Sequence, residues 1–182
     1  MYSRANQHLI CELSGTTPGN ALDAGCGKGS DAIWLAKQGW QVTAVDISES
    51  VLKKAKNLAK AAGVSVNFEK VDLTTWSPTK NYYDLVSSAY VHTTDDRSYI
   101  SKISRAVKPG GILMIIGHQP PEHGEKDAFA HGSHLTAEEI SSFLDSNEWE
   151  IEIAEPREIA KEYSEHYSFS NDSIFKVHRK LS

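Results

Sequence analysis

The sequence predicts an α/β fold, doubly wound around a mostly parallel seven-stranded sheet with one late antiparallel strand. Short apolar runs rich in β-branched residues alternate with helical patterns along most of the chain. Strands separated by helices favour right-handed crossovers and a parallel sheet that is covered on both faces. The last two predicted strands have no helical pattern between them, so we expect one of them to run antiparallel at an edge of the sheet.

The first half of the chain alternates strands and helices and then enters a loop. Gly39 and Gly63 follow the two helical patterns, as glycine often does at the end of a helix. Ser48 precedes the second helix and is a favoured N-cap residue. The predicted elements are strand 20–24, helix 30–38, strand 41–46, helix 49–62, strand 64–71 and loop 72–81.

The second half begins with strand 82–89 and helix 95–107, which the segment Lys108–Gly111 is expected to close. Strand 112–117 is continuously apolar, as expected for a strand in the middle of a parallel sheet. Thr136 and Glu139 have the spacing of a capping box, which predicts that a helix begins there. The remaining predicted elements are the polar loop 118–134, the helix to residue 146, and strands 149–154 and 173–180.

Size and charge limit the classes of function. A chain of 182 residues predicts one domain over 1–182, with 1–19 as an amino-terminal helix and cover and 118–135 as a loop on the substrate side. The net charge of −5 argues against a general nucleic-acid binder, which needs a basic face. The longest apolar run, 112–116, is far too short to cross a membrane.

The amino terminus and the cysteines predict a cytoplasmic location. The first residues contain neither an apolar run nor a small-residue cleavage site of the kind found in signal peptides. Cys11 and Cys26 lack the spacing of a metal site, and the default setting for such a chain is a reducing compartment.

A glycine-rich loop follows the first strand and opens the first helix, over Asp23–Gly29. Small residues there let a ligand approach the backbone, and the helix N-terminus offers N–H groups. Asp46 ends the second strand at the same crevice, where a carboxylate can accept both hydroxyls of a ribose. The alternative is a tight turn with a surface aspartate; the two features together favour a nucleoside-containing cofactor.

The glycine spacing distinguishes between two kinds of cofactor. A dinucleotide site has the pattern G-x-G-x-x-G, because a pyrophosphate must lie on the helix end. Here the glycines are Gly25, Gly27 and Gly29, and position 30 is serine. Asp23 immediately before the loop is unfavourable for a pyrophosphate and acceptable for a cationic ligand.

With these residues the chain resembles the class I S-adenosylmethionine-dependent methyltransferases, whose fold is Rossmann-like. The resemblance covers about residues 18–118 closely and rests on five segments in the family's order. The segments 32–36 and 39–43 are similar to segments of the small tellurite-resistance-type (TehB-like) enzymes. The five segments are Asp23–Gly29, Val42–Ser48, Val71–Leu73, Tyr83–Ala89 and Val107–Gly111.

The resemblance implies that S-adenosylmethionine is the cofactor and assigns it residues. The glycine loop carries the methionine part, and Asp23 orients its ammonium group. Asp46 holds the ribose, Ile47 packs on the adenine and Asp72 accepts from the adenine amino group. The implied cofactor-binding residues are Asp23, Gly25, Cys26, Gly27, Asp46, Ile47, Asp72, Leu73, Ser88 and Ala89.

The segment before the first strand is shorter than in many members of that family. About twenty residues precede Ala21, so Tyr2, Arg4 and Asn6 are expected to cover the cofactor. The alternatives are a more open site or a cover that another chain supplies.

Methyl transfer needs few catalytic side chains, because the sulfonium already makes the methyl group electrophilic. Orientation of the acceptor is the main contribution of the enzyme to the rate. A general base helps only when the nucleophile begins protonated. Tyr90 and His92 follow the fourth strand and His118 ends the fifth, so these three are the candidate catalytic residues. The alternative is a loop aromatic and solvated histidines.

The loop 118–134 contains four of the eight histidines, at positions 118, 123, 131 and 134. Their spacing matches no standard metal motif, so we predict no metal. A substrate lid is the favoured interpretation, because loops of this length are usually functional or disordered. Plain disorder and a metal site are the alternatives.

The acceptor is predicted to be a small molecule. The fourth strand ends in Ser87-Ser88-Ala89-Tyr90, without the N/D-P-P-Y/F motif of enzymes that methylate base amino groups, and neither cysteine is placed for attack on a pyrimidine. A cofactor-binding protein without catalysis and a nicotinamide-dependent oxidoreductase are the alternative functions. The oligomeric state stays open between monomer and homodimer.

Overall fold

Seven strands form a single sheet in the order β3-β2-β1-β4-β5-β7-β6 in this computed structural model, which describes residues 4–118, 135–159 and 171–181. The strands are β1 (Asn20–Ala24), β2 (Gln41–Asp46), β3 (Asn67–Lys70), β4 (Tyr83–Ala89), β5 (Val107–His118), β6 (Trp149–Glu158) and β7 (Asn171–Arg179). The helices are α1 (Gln7–Leu13), α2 (Ser30–Lys37), α3 (Glu49–Ala61), α4 (Asp96–Ser104) and α5 (Ala137–Ser141). None of the helices in these ranges has the length and apolar character needed to cross a membrane.

The predicted fold class is confirmed, with one correction to the position of the antiparallel strand. β7 runs antiparallel to both β5 and β6, and the other six strands share one direction. The antiparallel strand is therefore not at the edge, as expected from the sequence, but second from it. The physical reason is burial: β7 is almost entirely buried, whereas β6 exposes charged side chains that suit an edge strand.

The ends of several elements differ from the sequence-based prediction. α4 ends at Ser104, and β5 already begins at Val107, where a closing turn was expected. The segment that contains Pro109 and Gly110 belongs to the strand, at a register shift in its pairing with β4. Proline has no N–H to donate, so an irregular part of a strand tolerates it. β3 and α5 are shorter than predicted, and the capping box of Thr136 with Glu139 is present.

The order of the strands creates a crevice where the chain leaves β1. From β1 the chain crosses to β2 on one side, and β4 pairs with β1 on the other. Ligands of open α/β sheets bind at such a point, beyond the carboxyl ends of the strands. Asp46 is the last residue of β2, and the glycine loop and Tyr90 lie at the ends of β1 and β4.

Buried side chains form one apolar cluster on each face of the sheet. Leu22 of β1 packs in the cluster that contains Tyr99 and Ile103 of α4. Ala21 packs in the opposite cluster, with Leu9 of α1 and Leu35 of α2. Because successive side chains of a strand face opposite sides, Asp23 is directed to the α1 and α2 face.

We predict that Gly29→Ala destabilises the protein more than Gly63→Ala. Both glycines have left-handed backbone, with φ of 77° and 70°, so each alanine costs about 1–2 kcal/mol of conformational energy. A Cβ on Gly29 would also lie 3.1 Å from Ala55 and 3.2 Å from the Phe68 ring, whereas one on Gly63 meets nothing within 4 Å. Overpacking should add about 1–2 kcal/mol to the loss at Gly29 alone. Urea denaturation of both variants measures this difference, and equal losses would contradict it.

Candidate cofactor and acceptor site

The glycine loop is tied to β2 by backbone hydrogen bonds. The amides of Gly25 and Cys26 both donate to the carbonyl of Val45, at 2.8 and 2.9 Å. A Cβ on Gly25 would lie 2.2 Å from the Val91 side chain, so the protein's own packing requires glycine there. Gly27 also has positive φ, but a Cβ on it would meet nothing within 4 Å. The open face of the loop is therefore at Gly27.

Asp46 is fixed beside that open face. Its Oδ2 accepts from the Gly27 amide and its Oδ1 from the Ser48 amide, both at 2.9 Å. Each carboxylate oxygen keeps a further lone pair, so the group can still accept from a pair of neighbouring hydroxyls. Ile47 follows immediately and is 60% exposed, which leaves an apolar surface next to the carboxylate.

Asp23 is a buried carboxyl group that lacks a full set of partners. It is 3% exposed, and its Oδ2 has no hydrogen-bond partner among the described residues. Burial and the nearby carboxyl of Asp31 raise the pKa of Asp23 well above its usual value. Burial also raises the pKa of Asp31, which accepts a 2.6 Å hydrogen bond from the Asn6 amide. A buried carboxyl, a half-buried one beside it and an oxygen without a partner among the described residues fit a cationic ligand such as the ammonium of S-adenosylmethionine.

Cys26 is part of this loop and Leu73 lies close to it, whereas the carboxylate of Asp72 accepts hydrogen bonds within its own turn. The Cys26 thiol is half-buried, and its burial together with Asp23 raises its pKa, so it is not a reactive thiolate. Leu73 lies within 4 Å of the Cβ position of Gly25. Asp72 accepts from the Thr74 amide and hydroxyl at 2.9 and 2.6 Å, which lowers its pKa.

The end of β4 lies on the other side of the crevice. The buried hydroxyl of Ser88 is 2.8 Å from the Tyr99 hydroxyl, and burial raises the pKa of that tyrosine. Ala89 pairs with Ile116 of β5 at the last position of the strand. Ser88, His92, Tyr99 and His118 are among the residues around a cavity of about 30 Å³. Two of the three candidate catalytic residues, His92 and His118, therefore line one cavity.

Tyr90, the third candidate, is held in an unusual backbone conformation. Its φ is 56°, which costs a bulky residue about 1–2 kcal/mol and needs compensating contacts. Its amide donates to the Ile116 carbonyl at 2.8 Å, and its hydroxyl donates to Asp172 Oδ2 at 2.6 Å. Its ring stacks on the His118 ring, with centroids 4.4 Å apart and planes 23° from parallel.

Asp172 of β7 is a functional candidate that sequence reasoning missed. It is 1% exposed and touches Tyr90, His118 Nδ1 at 3.2 Å and His8 Nε2 at 3.3 Å. Burial alone would raise its pKa, but hydrogen bonds from His118, His8 and Tyr90 outweigh burial and lower it to about 2. The antiparallel register places Asp172 directly opposite His118. The contact between Asp172 and His118 depends on this register, which the residues near Asp172 in the sequence do not determine.

Asn6 contacts residues on both sides of the crevice, Asp31 of α2 on one side and Tyr90 after β4 on the other. Its amide donates to Asp31, and its side-chain nitrogen donates to the Tyr90 hydroxyl at 3.1 Å. Its side chain also caps α1 by accepting from the amides of His8 and Leu9. Of the other expected covering residues, Arg4 lines a groove against α2 and α3, and Tyr2 lies outside the described residues.

The histidine-rich loop falls largely outside the described residues, which exclude 119–134. The lid, disorder and metal interpretations of that loop therefore all stay predictions. Within the ranges that the structure covers, no three histidine, cysteine or acidic side chains are grouped so that they could hold a metal ion.

Comparison with known proteins identifies the family. Residues 21–111, half of the chain, match the model of a family described as a methyltransferase domain. The chain belongs to this methyltransferase family. The match spans the glycine loop, Asp46 and the end of β4, and it confirms the expected class I methyltransferase superfamily. The match to this family also confirms S-adenosylmethionine as the cofactor.

Individual relatives match only part of their own length. A ribosomal RNA small subunit methyltransferase C of Alcanivorax borkumensis is 33% identical over 123 residues, which are 63% of this chain and 37% of the relative. A ubiquinone biosynthesis O-methyltransferase of Coxiella burnetii is 33% identical over 98 residues, 53% of this chain and 42% of the relative. The chain thus spans less than half of either relative.

A solved structure covers nearly the whole chain. The S-adenosylmethionine-dependent methyltransferase of Mesorhizobium loti has a TM-score of 0.72 at 20% identity, over 94% of this chain and 96% of its own. At that identity the likeness establishes the fold, which includes the late strands that the family model does not reach.

We predict that Asp23→Asn stabilises the cofactor-free protein while weakening its binding of S-adenosylmethionine by about tenfold or more. The folded pKa of Asp23 lies above the unfolded value near 3.8, so the folded state holds this proton longer. Stability in the parent therefore falls as pH rises from about 4, and the variant escapes that loss. Urea denaturation at pH 4 and pH 7, with calorimetric titration, measures both effects.

Asp172→Asn should have the opposite effect on stability and is the matched control. The folded pKa of Asp172, about 2, lies below the unfolded value of 3.8. Its carboxylate therefore contributes about 2 kcal/mol above pH 4, and this contribution is lost as pH falls through 2. The variant should lose that amount at pH 7. Stability changes of the same sign in the two variants would contradict the opposite pKa shifts assigned to Asp23 and Asp172.

Proposed function

We propose that this protein is an S-adenosylmethionine-dependent methyltransferase that transfers the methyl group to a small-molecule acceptor by direct in-line displacement. The observation that carries the proposal is the pairing of two acidic groups around one glycine loop. The buried, unpartnered Oδ2 of Asp23 suits a cation, and Asp46 beside the open face of Gly27 suits a ribose. S-adenosylmethionine, a sulfonium nucleoside, carries both an ammonium group for Asp23 and a ribose for Asp46.

The residues that would hold the cofactor follow from this arrangement. Asp23 would accept from the ammonium group, and Asp46 from the two ribose hydroxyls. Ile47 would cover one face of the adenine, because apolar surface at that position is otherwise exposed to water. The remaining cofactor contacts that we propose come from the loop, the segment after β3 and the end of β4: Gly25, Cys26, Gly27, Asp72, Leu73, Ser88 and Ala89.

When bound, S-adenosylmethionine supplies a methyl group that is already electrophilic. The protein has to hold the acceptor in line behind that group and exclude water, which accounts for the larger part of such rate enhancements. Tyr90, His92 and His118 are the side chains that we propose to face the acceptor. Tyr90 and His92 follow β4, the neighbour of β1, and His118 ends β5, the next strand in the sheet.

Two observations support a small molecule over RNA, although one relative is a ribosomal RNA methyltransferase. The chain has a net charge of −5, and β4 ends without the motif that grips a flipped base amino group. The edge strand β6 also exposes several glutamates. We extend the proposal to a cytoplasmic, single-domain enzyme of the tellurite-resistance type.

A nicotinamide-dependent oxidoreductase is disfavoured by the carboxyls of Asp23 and Asp31. A pyrophosphate on the glycine loop needs hydrogen-bond donors, whereas these two groups offer mainly accepting oxygens, and their ionised form would repel it. A cofactor-binding protein without catalysis would have the same binding site and would differ only in the absence of turnover. The experiment therefore has to measure cofactor binding and methyl transfer.

The test is calorimetric titration with S-adenosylmethionine, S-adenosylhomocysteine and NAD in parallel. We expect micromolar binding of the two sulfur ligands and none of NAD. Incubation with methyl-labelled S-adenosylmethionine should then transfer label to members of a small-molecule panel, and not to purified ribosomal RNA. Binding of NAD alone would refute the family-based cofactor assignment, and label on RNA alone would refute the small-molecule acceptor.

Asp46→Asn tests the ribose contact specifically. We predict that the parent binds S-adenosylhomocysteine about tenfold or more tightly than its 2′-deoxy analogue, since a hydrogen bond to a charged group contributes about 1.5–3 kcal/mol. The variant should lose most of that preference, because an amide offers only one accepting oxygen. Calorimetry with both ligands on both proteins completes the cycle. An unchanged preference would show that Asp46 does not contact the ribose.

A further inference from the structure

The buried carboxylate of Asp172 gathers donors from three elements at the acceptor side of the sheet. His8 lies on α1, Tyr90 follows β4 and His118 ends β5, and all three reach the two oxygens of this one group. Burying a carboxylate costs free energy unless it is paired and hydrogen-bonded. An arrangement that holds two imidazoles and a phenol on one buried charge orients these side chains strongly.

The hydrogen bonds assign different chemical roles to Tyr90 and His118. A carboxylate can only accept, so His118 donates from Nδ1 to Asp172 Oδ1, and in the tautomer that this hydrogen bond selects the basic lone pair is on Nε2. The Tyr90 hydroxyl gives its proton to Asp172 Oδ2. Burial and that carboxylate raise the pKa of Tyr90, so it does not serve as a base at neutral pH.

The location of His118 suits a proton acceptor for the methyl acceptor. It lines the small cavity together with Ser88 and His92, beside the carboxyl end of β4. Its ring plane is fixed from one side by the stacked Tyr90 ring and at its edge by Asp172. A base must be held in a defined direction toward the proton that it removes.

We infer that Asp172 is a positioning residue that holds His118 as a general base, and that the methyl acceptor is therefore a hydroxyl compound whose attacking oxygen begins protonated. This inference rests on the proposed function. An acceptor without a proton on its attacking atom, such as a tertiary amine or a thioether, would gain nothing from such a base.

The step balances as a single displacement. The acceptor oxygen forms a bond to the methyl carbon while the carbon–sulfur bond breaks and leaves its electron pair on sulfur. The hydroxyl proton passes to His118 Nε2. The carboxylate of Asp172 stabilises the resulting imidazolium, which later loses the proton to water.

Other charged groups surround this pair and bear on any dependence on pH. Arg157 of β6 lies opposite Asp172 in the sheet, but its guanidinium pairs with Glu12 and Glu155. Asp31 acts on Tyr90 at longer range. The titratable and charged groups that the structure shows around the pair are His8 of α1, Asp31 of α2, Tyr90 and His92 after β4, Asp96 of α4 and Arg157 of β6.

The experiment compares two phenols that differ in acidity. Catechol keeps its proton at pH 7.5, whereas 4-nitrocatechol is largely ionised there and needs no base. We predict that His118→Gln and Asp172→Asn lower kcat about 100-fold with catechol, but less than about tenfold with 4-nitrocatechol, with little change in the affinity for S-adenosylmethionine. A merely structural role would lower both rates equally, because it does not depend on the acidity of the acceptor.

Two variants separate loss of the base from misfolding and from the general effect of replacing a histidine. His118→Gln leaves Asp172 with Tyr90 and His8, so it tests the base even if Asp172→Asn fails to fold. His178→Gln removes an exposed histidine of β7 that pairs with Glu152, and both rates should stay within about twofold of the parent. Equal losses with the two phenols would overturn the inference.

The outcomes also separate this inference from the proposed function. A parent protein that binds S-adenosylmethionine and labels tertiary amines or thioethers, but neither phenol, retains the proposed function and overturns the hydroxyl acceptor. A parent that binds no S-adenosylmethionine overturns the proposed function itself.

Discussion

The parallel pairing of β1 with both β2 and β4 is the constraint on which the site depends. It brings the ends of three strands to one edge and leaves space between the loops that follow them. The hydrogen bonds from Gly25 and Cys26 to the Val45 carbonyl then fix the glycine loop against β2. Asp46 completes this unit by accepting from Gly27, so the position of the carboxylate that we propose for the ribose is fixed by the backbone.

Two buried aspartates show how the same residue type serves opposite needs. Asp23 is incompletely partnered and lies near Asp31, so the cofactor-free protein holds it at a cost in stability. Asp172 is satisfied by donors from three elements and contributes to stability. The first arrangement is typical of a group that awaits a ligand, because a cation would relieve the cost. The second is typical of a group that fixes its neighbours.

Local chemistry explains which features the sequence could predict. β1 and β2 have the predicted bounds, because polar residues and glycines delimit short apolar runs there. The start of β5 was predicted wrongly because Pro109 and the adjacent glycines resemble a turn, whereas the pairing of Val107 with Tyr83 already begins the strand before this irregular stretch. Asp172 could not be foreseen, since its contact with His118 arises from the register of β7, and register is a property of the folded sheet. The same holds for His8, which reaches the site from α1.

Asn6 touches both halves of the site, and this has a thermodynamic consequence. It contacts Asp31 through its backbone and Tyr90 through its side chain, so it touches both the proposed cofactor region and the proposed acceptor region. A ligand that shifts one of these contacts changes the free energy of the other. Such linkage is reciprocal: whatever factor the first ligand applies to the affinity of the second, the second applies to the first. Under the proposed function, the amino-terminal segment therefore couples the binding of the cofactor to the binding of the acceptor.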